Sequence, residues 1–283
     1  MPTLLEKLET VPGLTAAQRE QFDRDGYLVM RGMFSPDEAA HMSDVFMTQA
    51  KDGPVEGLSE RQCGDKGYDP GDPLGFYPRM MNPHTQPERE VGQVGRGFLL
   101  NPRLHPILRD LFGEEPVGVQ TMFYFKPAGA RGQELHQDNF YLRVKPGTCM
   151  AAWLAVDDVD AGNGGMKVVP GSHHEDIACP QKADPTVSFT TDYVPVPAGL
   201  DAVQCDMKAG DVLFFNGSLI HGSTPNTSEG RFRRALIAHY VPRGSQEVAH
   251  GYRPYTFDGA EIEFAPAQGG GPCGTPQSVT GPH

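Results

Sequence analysis

Two segments near the start of the chain carry the pattern of short helices. Thr15 stands before a run of alanines and charged residues that ends at Gly26, which predicts a helix over residues 16–25 with an N-cap and a C-terminal glycine. Residues 35–38, Ser-Pro-Asp-Glu, have the spacing of a capping box, and apolar residues recur after them at helical intervals to about residue 50. A strand over residues 27–30 is predicted between the two helices.

The middle of the chain consists of short strand-like segments separated by turn residues. A helix over residues 101–112, ended by Gly113, precedes them. The strands are predicted over residues 117–125, 135–144, 149–156, 166–169, 212–215 and 235–241. Short strands joined by Gly- and Pro-containing turns are typical of an antiparallel jelly roll. The predicted fold class is therefore mainly β with flanking helices, around a double-stranded β-helix core of the cupin type.

Composition divides the chain into three parts. Residues 52–97 are rich in glycine and proline and show little periodicity, so we predict a lid region there. Beyond residue 264 the sequence turns to Gly, Pro, Gln and Thr, which predicts a flexible tail over residues 265–283. Residues 1–264 are predicted to form a single domain, because 283 residues suit one large β-barrel with helical additions.

Charge and cysteine content restrict the partners and the compartment. A net charge of -12 disfavours nucleic acid and anionic membranes as partners, which leaves a small-molecule substrate. The five cysteines show no CxxC spacing, so we predict free thiols in a reducing cytosol rather than disulfides or a zinc ribbon. The N-terminus does not resemble a signal peptide and no long apolar run is present, so a cytoplasmic location is predicted and a membrane span is not. The oligomeric state stays open.

Three polar residues suggest a metal site. Successive side chains of a strand point to opposite faces, so His136 and Asp138 are predicted to share a face. His221 would complete the ligand set. Two imidazoles and one carboxylate leave coordination positions open, as ferrous iron requires for a co-substrate and O₂. A histidine that only hydrogen-bonds to a neighbouring carboxylate is the alternative interpretation.

Three arginines stand just before the last predicted strand, at positions 231, 233 and 234. A guanidinium group binds a carboxylate through two hydrogen bonds, and 2-oxoglutarate bound to iron needs such a partner for its distal carboxylate. Arg231 and Arg233 could share one face of a strand while Arg234 faces the other, so the residues alone leave Arg231 and Arg233 as competing candidates. A surface run that offsets the acidic charge is the alternative.

The chain resembles the phytanoyl-CoA dioxygenase family of iron(II)- and 2-oxoglutarate-dependent oxygenases. The resemblance rests on residues 22–29, 124–127, 136–138, 152–158, 163–173, 210–212, 221–223 and 233–235. It implies that His136, Asp138 and His221 are the catalytic iron ligands. It also selects Arg233 over Arg231 for the distal carboxylate of 2-oxoglutarate.

The resemblance implies further residues and an activity. Lys126 and Trp153 are expected to line the co-substrate pocket. The expected reaction uses Fe(II), 2-oxoglutarate and O₂ to hydroxylate an aliphatic C–H bond of a small metabolite, with release of succinate and CO₂. Asn139, Tyr141 and Met81 are the candidate substrate contacts, because they follow the ligand pair or could fold over the mouth of the site.

Two other functions remain open from the sequence. A hydrolase or isomerase could hold Zn²⁺ with the same three ligands and no co-substrate. A metal-binding cupin-like module without catalysis is the other alternative.

Overall fold

A computed structural model describes residues 12–60, 71–268 and 273, and its elements follow in chain order. The helices are α1 (Ala16–Asp25), α2 (Pro36–Gln49), α3 (Pro73–Phe76), α4 (Glu90–Leu99), α5 (His105–Phe112) and α6 (Asn139–Leu142), with short 3-10 helices at Pro83–Thr85 and Ser172–His174. The strands are β1 (Tyr27–Met30), β2 (Met80–Met81), β3 (Pro116–Tyr124), β4 (Gln133–His136), β5 (Met150–Ala155), β6 (Met166–Val168), β7 (Gln181–Lys182), β8 (Asp192–Tyr193), β9 (Val203–Cys205), β10 (Val212–Asn216), β11 (His221–Ser223), β12 (Ala235–Pro242), β13 (Glu247–Val248), β14 (Tyr255–Thr256) and β15 (Ala265–Pro266).

The local signals at the first two helices are confirmed. The Thr15 side chain accepts a hydrogen bond from the backbone of Gln18, and Gly26 ends α1 in the left-handed conformation at φ 78°. Ser35 and Glu38 form both hydrogen bonds of the capping box at the start of α2. These contacts satisfy backbone groups that a helix end leaves without a partner.

Two antiparallel sheets form the core, and the predicted jelly roll is confirmed. The larger sheet has the order β1-β10-β5-β12-β3-β14, with β2 paired to β3. The smaller sheet has the order β4-β11-β6-β9. Apolar residues of both sheets pack together between them, including Trp153 and Phe215 from the larger sheet and Met166 and Val168 from the smaller one. The space between the sheets is where the polar candidates meet.

Helices cover the outer face of the larger sheet. Phe46 of α2 stacks on Phe123 of β3 with ring centroids 3.9 Å apart. The hydroxyl of Tyr240 on β12 donates to the carbonyl of Leu99 at the end of α4. Because the outer face is covered by these helices, β3 and β12 are buried on both faces, with the cavity residues on the inner one.

Segment 52–97 is more regular than its composition suggested. It contains α3, β2, a 3-10 turn and α4, while residues 61–70 lie outside the described part. A Cβ atom on Gly92 of α4 would stand 1.8 Å from the carbonyl oxygen of Gln86. The glycine content of the segment predicts irregular chain. Gly92, however, lies in a helix, where the missing side chain allows the helix to approach the preceding turn closely. The role of the segment as a lid stays a prediction.

The strand predicted over residues 135–144 is wrong beyond its second residue. β4 ends at His136, and Asp138 adopts a helical conformation with φ -62° and ψ -35°. The short helix α6 follows, and Arg143 ends it at φ 52°. The carboxylate of Asp138 is therefore placed by a turn rather than by strand alternation.

The cysteines and the C-terminal part correct two expectations. Cys179 and Cys273 form a disulfide, whereas Cys149 and Cys205 are free and buried. The prediction of free thiols is wrong for the bonded pair, and Cys63 lies outside the described residues. β15, within the predicted tail, pairs in parallel with β13. The spacing of the bonded cysteines in the sequence gave no sign of their contact, because a single long-range pair has no local pattern.

Over the residues that the structure describes, no helix is long and apolar enough to span a membrane. The cytoplasmic location stays a prediction.

Candidate active site

The three predicted metal ligands meet at one end of the smaller sheet. His136, the last residue of β4, and His221, the first of β11, are direct partners in the antiparallel register. Asp138 reaches the same point from the turn before α6. The nearest ligand atoms of the three residues all lie within 4.8 Å of one another, and all three side chains are buried.

Backbone carbonyls fix the orientation of both imidazoles. Nδ1 of His136 lies 2.8 Å from the carbonyl oxygen of Glu134, and Nδ1 of His221 lies 2.9 Å from that of Leu219. A carbonyl oxygen only accepts, so each ring carries its proton on Nδ1 and presents an unprotonated Nε2.

The two Nε2 atoms face one carboxylate oxygen. Nε2 of His136 and Nε2 of His221 each lie 3.5 Å from Oδ1 of Asp138. Two neutral imidazole nitrogens and one carboxylate oxygen, turned to a common point, form the donor set of a non-haem iron site. The arrangement fits such a site.

The protonation states suit metal binding. Burial raises the pKa of Asp138, but the neighbouring side chains of His221, His239 and His136, among them the hydrogen bond that His239 donates, lower it more, so its pKa lies well below the ordinary value. Burial lowers the pKa of His221 to about 4. Near neutral pH the site therefore holds an ionised carboxylate and a neutral His221 imidazole, which are the forms that bind metals.

A cavity extends from the ligands between the two sheets. Besides the three ligands its lining includes Tyr124, Trp153, Ser223, Arg233, Ile237 and His239. The guanidinium carbon of Arg233 lies 5.5 Å from the ring centroid of Trp153 and 6.0 Å from that of Tyr124. Its Nε donates to the carbonyl oxygen of Gly164 at 3.2 Å.

Arg233 is a buried cation without a carboxylate. Its side chain is 2 % exposed, and burial lowers its pKa to about 10. Among the described residues, no acidic group forms an ion pair with Arg233. A buried charge without a partner is costly, so the site favours a ligand that brings a carboxylate.

The other two arginines of the run point away from the cavity. Arg231 is exposed and forms an ion pair with Asp160 at 2.7 Å. Arg234 pairs with Asp157 at 2.5 Å and donates to the hydroxyl of Ser43. β12 begins only at residue 235, so the strand alternation expected for residues 231–234 does not hold there. Of the three arginines, the structure brings Arg233 into the cavity.

Lys126 and Trp153 occupy different places. Trp153 of β5 lines the cavity beside Arg233. Lys126 is buried behind the lining, and its Nζ donates to the hydroxyl of Ser223 and to the carbonyl oxygen of Thr224, both at 2.7 Å. Burial, followed by the charge of Arg233, lowers the pKa of Lys126 well below the ordinary value. Lys126 therefore contacts the cavity indirectly, through its hydrogen bond to Ser223, which lines the cavity.

The three candidate substrate contacts lie outside the cavity lining. The Asn139 side chain accepts a hydrogen bond from the backbone of Val144, which stabilises the turn after α6. Tyr141 donates to Asp192 at 2.6 Å, and its ring centroid lies 6.4 Å from that of His136. Met81 is half-buried against the apolar cluster between the sheets. Their contact with substrate stays a prediction.

Two residues near the ligands were missed from the sequence. Nε2 of His239 lies 2.9 Å from Oδ2 of Asp138, and both residues are buried. The side-chain amide of Gln133 lies 3.1 Å from Nε2 of His136. Strand alternation could have found His239, because Ile237 and His239 stand two residues apart on β12 and line the same cavity.

Comparisons with known proteins agree with this geometry. Phytanoyl-CoA dioxygenase 1 of Oryza sativa subsp. japonica is 28% identical over 256 residues, covering 81% of this chain and 89% of the relative. Phytanoyl-CoA dioxygenase domain-containing protein 1 of Danio rerio is 26% identical over 251 residues, covering 76% of this chain and 86% of the relative.

Solved structures show the same fold. The non-haem α-ketoglutarate-dependent carbocyclase SnoK from nogalamycin biosynthesis superposes with a TM-score of 0.63 at 19% identity, covering 93% of this chain and 95% of SnoK. EctD from S. alaskensis, solved with 2-oxoglutarate and 5-hydroxyectoine, gives 0.61 at 21% identity, covering 90% of this chain and 86% of EctD. The family model described as phytanoyl-CoA dioxygenase matches residues 22–235. The chain therefore belongs to the phytanoyl-CoA dioxygenase family and is an enzyme of the dioxygenase type.

Proposed function

We propose that this enzyme is a non-haem Fe(II)- and 2-oxoglutarate-dependent dioxygenase that hydroxylates an aliphatic C–H bond of a small metabolite and releases succinate and CO₂. The observation that carries the proposal is the position of Arg233 in the same cavity as the metal ligands, as a buried guanidinium with which no carboxylate of the described residues pairs. A zinc hydrolase would need the three ligands but would have no use for this arginine.

The residues of the cavity have two different binding roles. His136, Asp138 and His221 hold the metal, and Arg233 binds the distal carboxylate of 2-oxoglutarate through two hydrogen bonds. Iron and 2-oxoglutarate, when bound, would supply the oxidative chemistry, in which one oxygen atom of O₂ enters the succinate that 2-oxoglutarate forms with loss of CO₂ and the other enters the hydroxyl group of the product. Trp153 and Tyr124 form apolar walls near the guanidinium and exclude water from it.

The ligands bound in the structural neighbours support the choice of co-substrate. EctD was solved with 2-oxoglutarate, and HygX from Streptomyces hygroscopicus with nickel and 2-oxoglutarate. The proposal extends this ligand to the present chain because the cavity supplies both a metal site and a carboxylate partner.

The proposed substrate is neutral or cationic rather than an acyl-CoA. A CoA ester carries several phosphate charges, which proteins usually bind with clustered cations. Two arginines of segment 52–97 are already engaged, since Arg79 donates to both oxygens of Glu60 and Arg96 stacks on the ring of Tyr255. Efficient turnover of a fatty acyl-CoA, with the free acid inert, would contradict this part of the proposal.

The experiment is a screen for substrate-stimulated succinate formation by Fe(II)-loaded protein. We expect 2-oxoglutarate-dependent succinate that rises with one class of small metabolite and is absent in Asp138→Ala. Formation of a product without consumption of 2-oxoglutarate would favour a hydrolase or isomerase. Absence of both from the metal-loaded protein would favour a module without catalysis.

A further inference from the structure

The Asp138 carboxylate is held at both of its oxygens by different residues. Oδ1 faces Nε2 of His136 and Nε2 of His221, each at 3.5 Å. Oδ2 faces Nε2 of His239 at 2.9 Å, which is hydrogen-bond distance. One oxygen is thus turned to the metal position and the other to β12.

The surroundings of His239 determine which nitrogen carries its proton. His239 lies in the middle of the larger sheet, opposite Gln120 of β3 and Ala151 of β5, and its side chain is 1 % exposed. Its Nδ1 is buried and has no hydrogen-bond partner among the described residues. A buried N–H without an acceptor is costlier than a bare ring nitrogen, and a carboxylate only accepts, so Nε2 of His239 carries a proton and donates it to Oδ2 of Asp138.

We propose that His239 is a positioning residue for the metal site, which holds Asp138 in a single-oxygen binding mode. The proposal rests on the proposed function of the three ligands. With Oδ2 engaged by His239, Asp138 contributes only Oδ1 to a metal and leaves one more coordination position for 2-oxoglutarate and O₂. Without this hydrogen bond the carboxylate can rotate, and both oxygens can bind.

The test compares metal binding by His239 variants and a matched control. His239→Leu removes the donor at similar volume, whereas His239→Gln offers an amide N–H at about the position of Nε2. His84→Leu is the control, because His84 is also fully buried, with one hydrogen-bonded and one unpartnered ring nitrogen, and its bonded nitrogen faces Thr121 rather than a metal ligand. Metal-free protein is titrated with Co²⁺, and both the affinity and the visible Co²⁺ spectrum are measured.

We expect His239→Leu to bind Co²⁺ about 10- to 100-fold more weakly, as is typical when the outer partner of a metal ligand is removed. Its Co²⁺ spectrum should change because the coordination of Asp138 changes. His239→Gln should recover most of the affinity and the original spectrum, and His84→Leu should match the wild type in both measurements.

Two results would overturn the inference. Wild-type affinity and spectrum in His239→Leu would show that Asp138 needs no positioning, and the proposed function would stand. Equal losses in His239→Leu and His84→Leu would assign the effect to general destabilisation. Failure of the wild type to bind Co²⁺ would instead remove the proposed metal site, and the inference with it. If His239→Leu does not fold, His239→Asn, whose amide stops short of Oδ2, takes its place.

Discussion

Acidic and basic side chains are paired differently in the cavity and on the rim of the same barrel. The rim is the region formed by Asp157, Asp160, Arg231 and Arg234. On the rim, Arg231 pairs with Asp160 and Arg234 with Asp157, so each charge has a neighbour of opposite sign; the side chains of the first pair are about half exposed and those of the second about one-fifth exposed. Inside, no acidic group of the described residues pairs with Arg233, and the carboxylate of Asp138 faces the imidazoles of His136, His221 and His239. Along the chain, Arg233 of the cavity directly precedes Arg234 of the rim and stands two residues after Arg231.

The difference shows which charges are available for ligands. A surface ion pair contributes little because water screens both partners. A buried charge needs a partner, and the cavity leaves a guanidinium and a carboxylate apart from each other, each turned to the same space. We infer that the cavity charges are completed by a metal ion and a dicarboxylate, whereas those of the rim are complete.

The largest expected effect comes from exchanging one aspartate in each region. Asp138→Asn should lower turnover at least ~100-fold, beyond the range typical of outer-shell changes, because it removes a charged metal ligand. Asp160→Asn should keep turnover near the wild-type level. Succinate formation and circular dichroism of both variants check this contrast, and His221→Ala should behave as Asp138→Asn does. Equal activity in the two asparagine variants would contradict the difference between cavity and rim.

The next effect separates the three arginines. Arg233→Ala should weaken the apparent affinity for 2-oxoglutarate by ~2–5 kcal/mol, the cost of losing a buried charge-assisted contact. Arg233→Lys should also weaken it, because an ammonium group cannot form two parallel hydrogen bonds. Arg231→Ala and Arg234→Ala should leave it unchanged. The measurement is the KM for 2-oxoglutarate in all four variants, and a larger effect in Arg231→Ala would place the co-substrate on the rim.

The buried His84, whose ring contacts Thr121 and not a metal ligand, tests whether the protein interior disfavours a charged histidine. Burial, helped by the charges of Arg96 and Arg253, lowers the pKa of His84 to about 4. Its ordinary value is ~6.5, so the unfolded chain takes up a proton first as the pH falls, and stability is lost between about pH 6.5 and pH 4. From pH 7 to pH 5 the free energy of unfolding of metal-free wild type should fall by ~2 kcal/mol more than that of His84→Leu. Urea unfolding at both pH values measures the difference; equal losses would show that the interior does not disfavour the charge.

The smallest effect concerns the stability of the rim pair. Arg231→Ala should leave the thermal midpoint nearly unchanged, because the Arg231 side chain is about half exposed and its pair with Asp160 is screened. Differential scanning calorimetry at low and high salt checks this. A clear loss of stability that disappears at high salt would mean that the rim pair contributes more than its exposure implies.

Local signals in the sequence predicted the frame of the molecule well. Thr15, Gly26 and Ser35 marked helix ends, and strand-like segments between turn residues marked β3, β5 and β12 within one residue at each end. These features depend on neighbours in the chain. The helix α4 was missed because its glycines suggested irregular chain. Gly92 is required there by a close contact with Gln86, which lies outside the helix.

The site was predictable in its ligands and less so in its supports. His136 and Asp138 were grouped by strand alternation, although Asp138 in fact follows the end of β4. Spacing alone could not choose between Arg231 and Arg233, since the chain before β12 is irregular. The hydrogen bond from His239 to Asp138 joins β12 of the larger sheet to the turn that follows β4 of the smaller one, and such a contact becomes visible only when the sheets are packed.

The most direct test of the central claim is a calorimetric titration of 2-oxoglutarate into the wild-type protein with and without Co²⁺ in place of iron. The account predicts one molecule bound per chain in the presence of the metal and much weaker binding in its absence, because the ligand is held at both ends, by the metal and by Arg233. Absence of binding to the metal-loaded protein, or binding that does not depend on the metal, would contradict it.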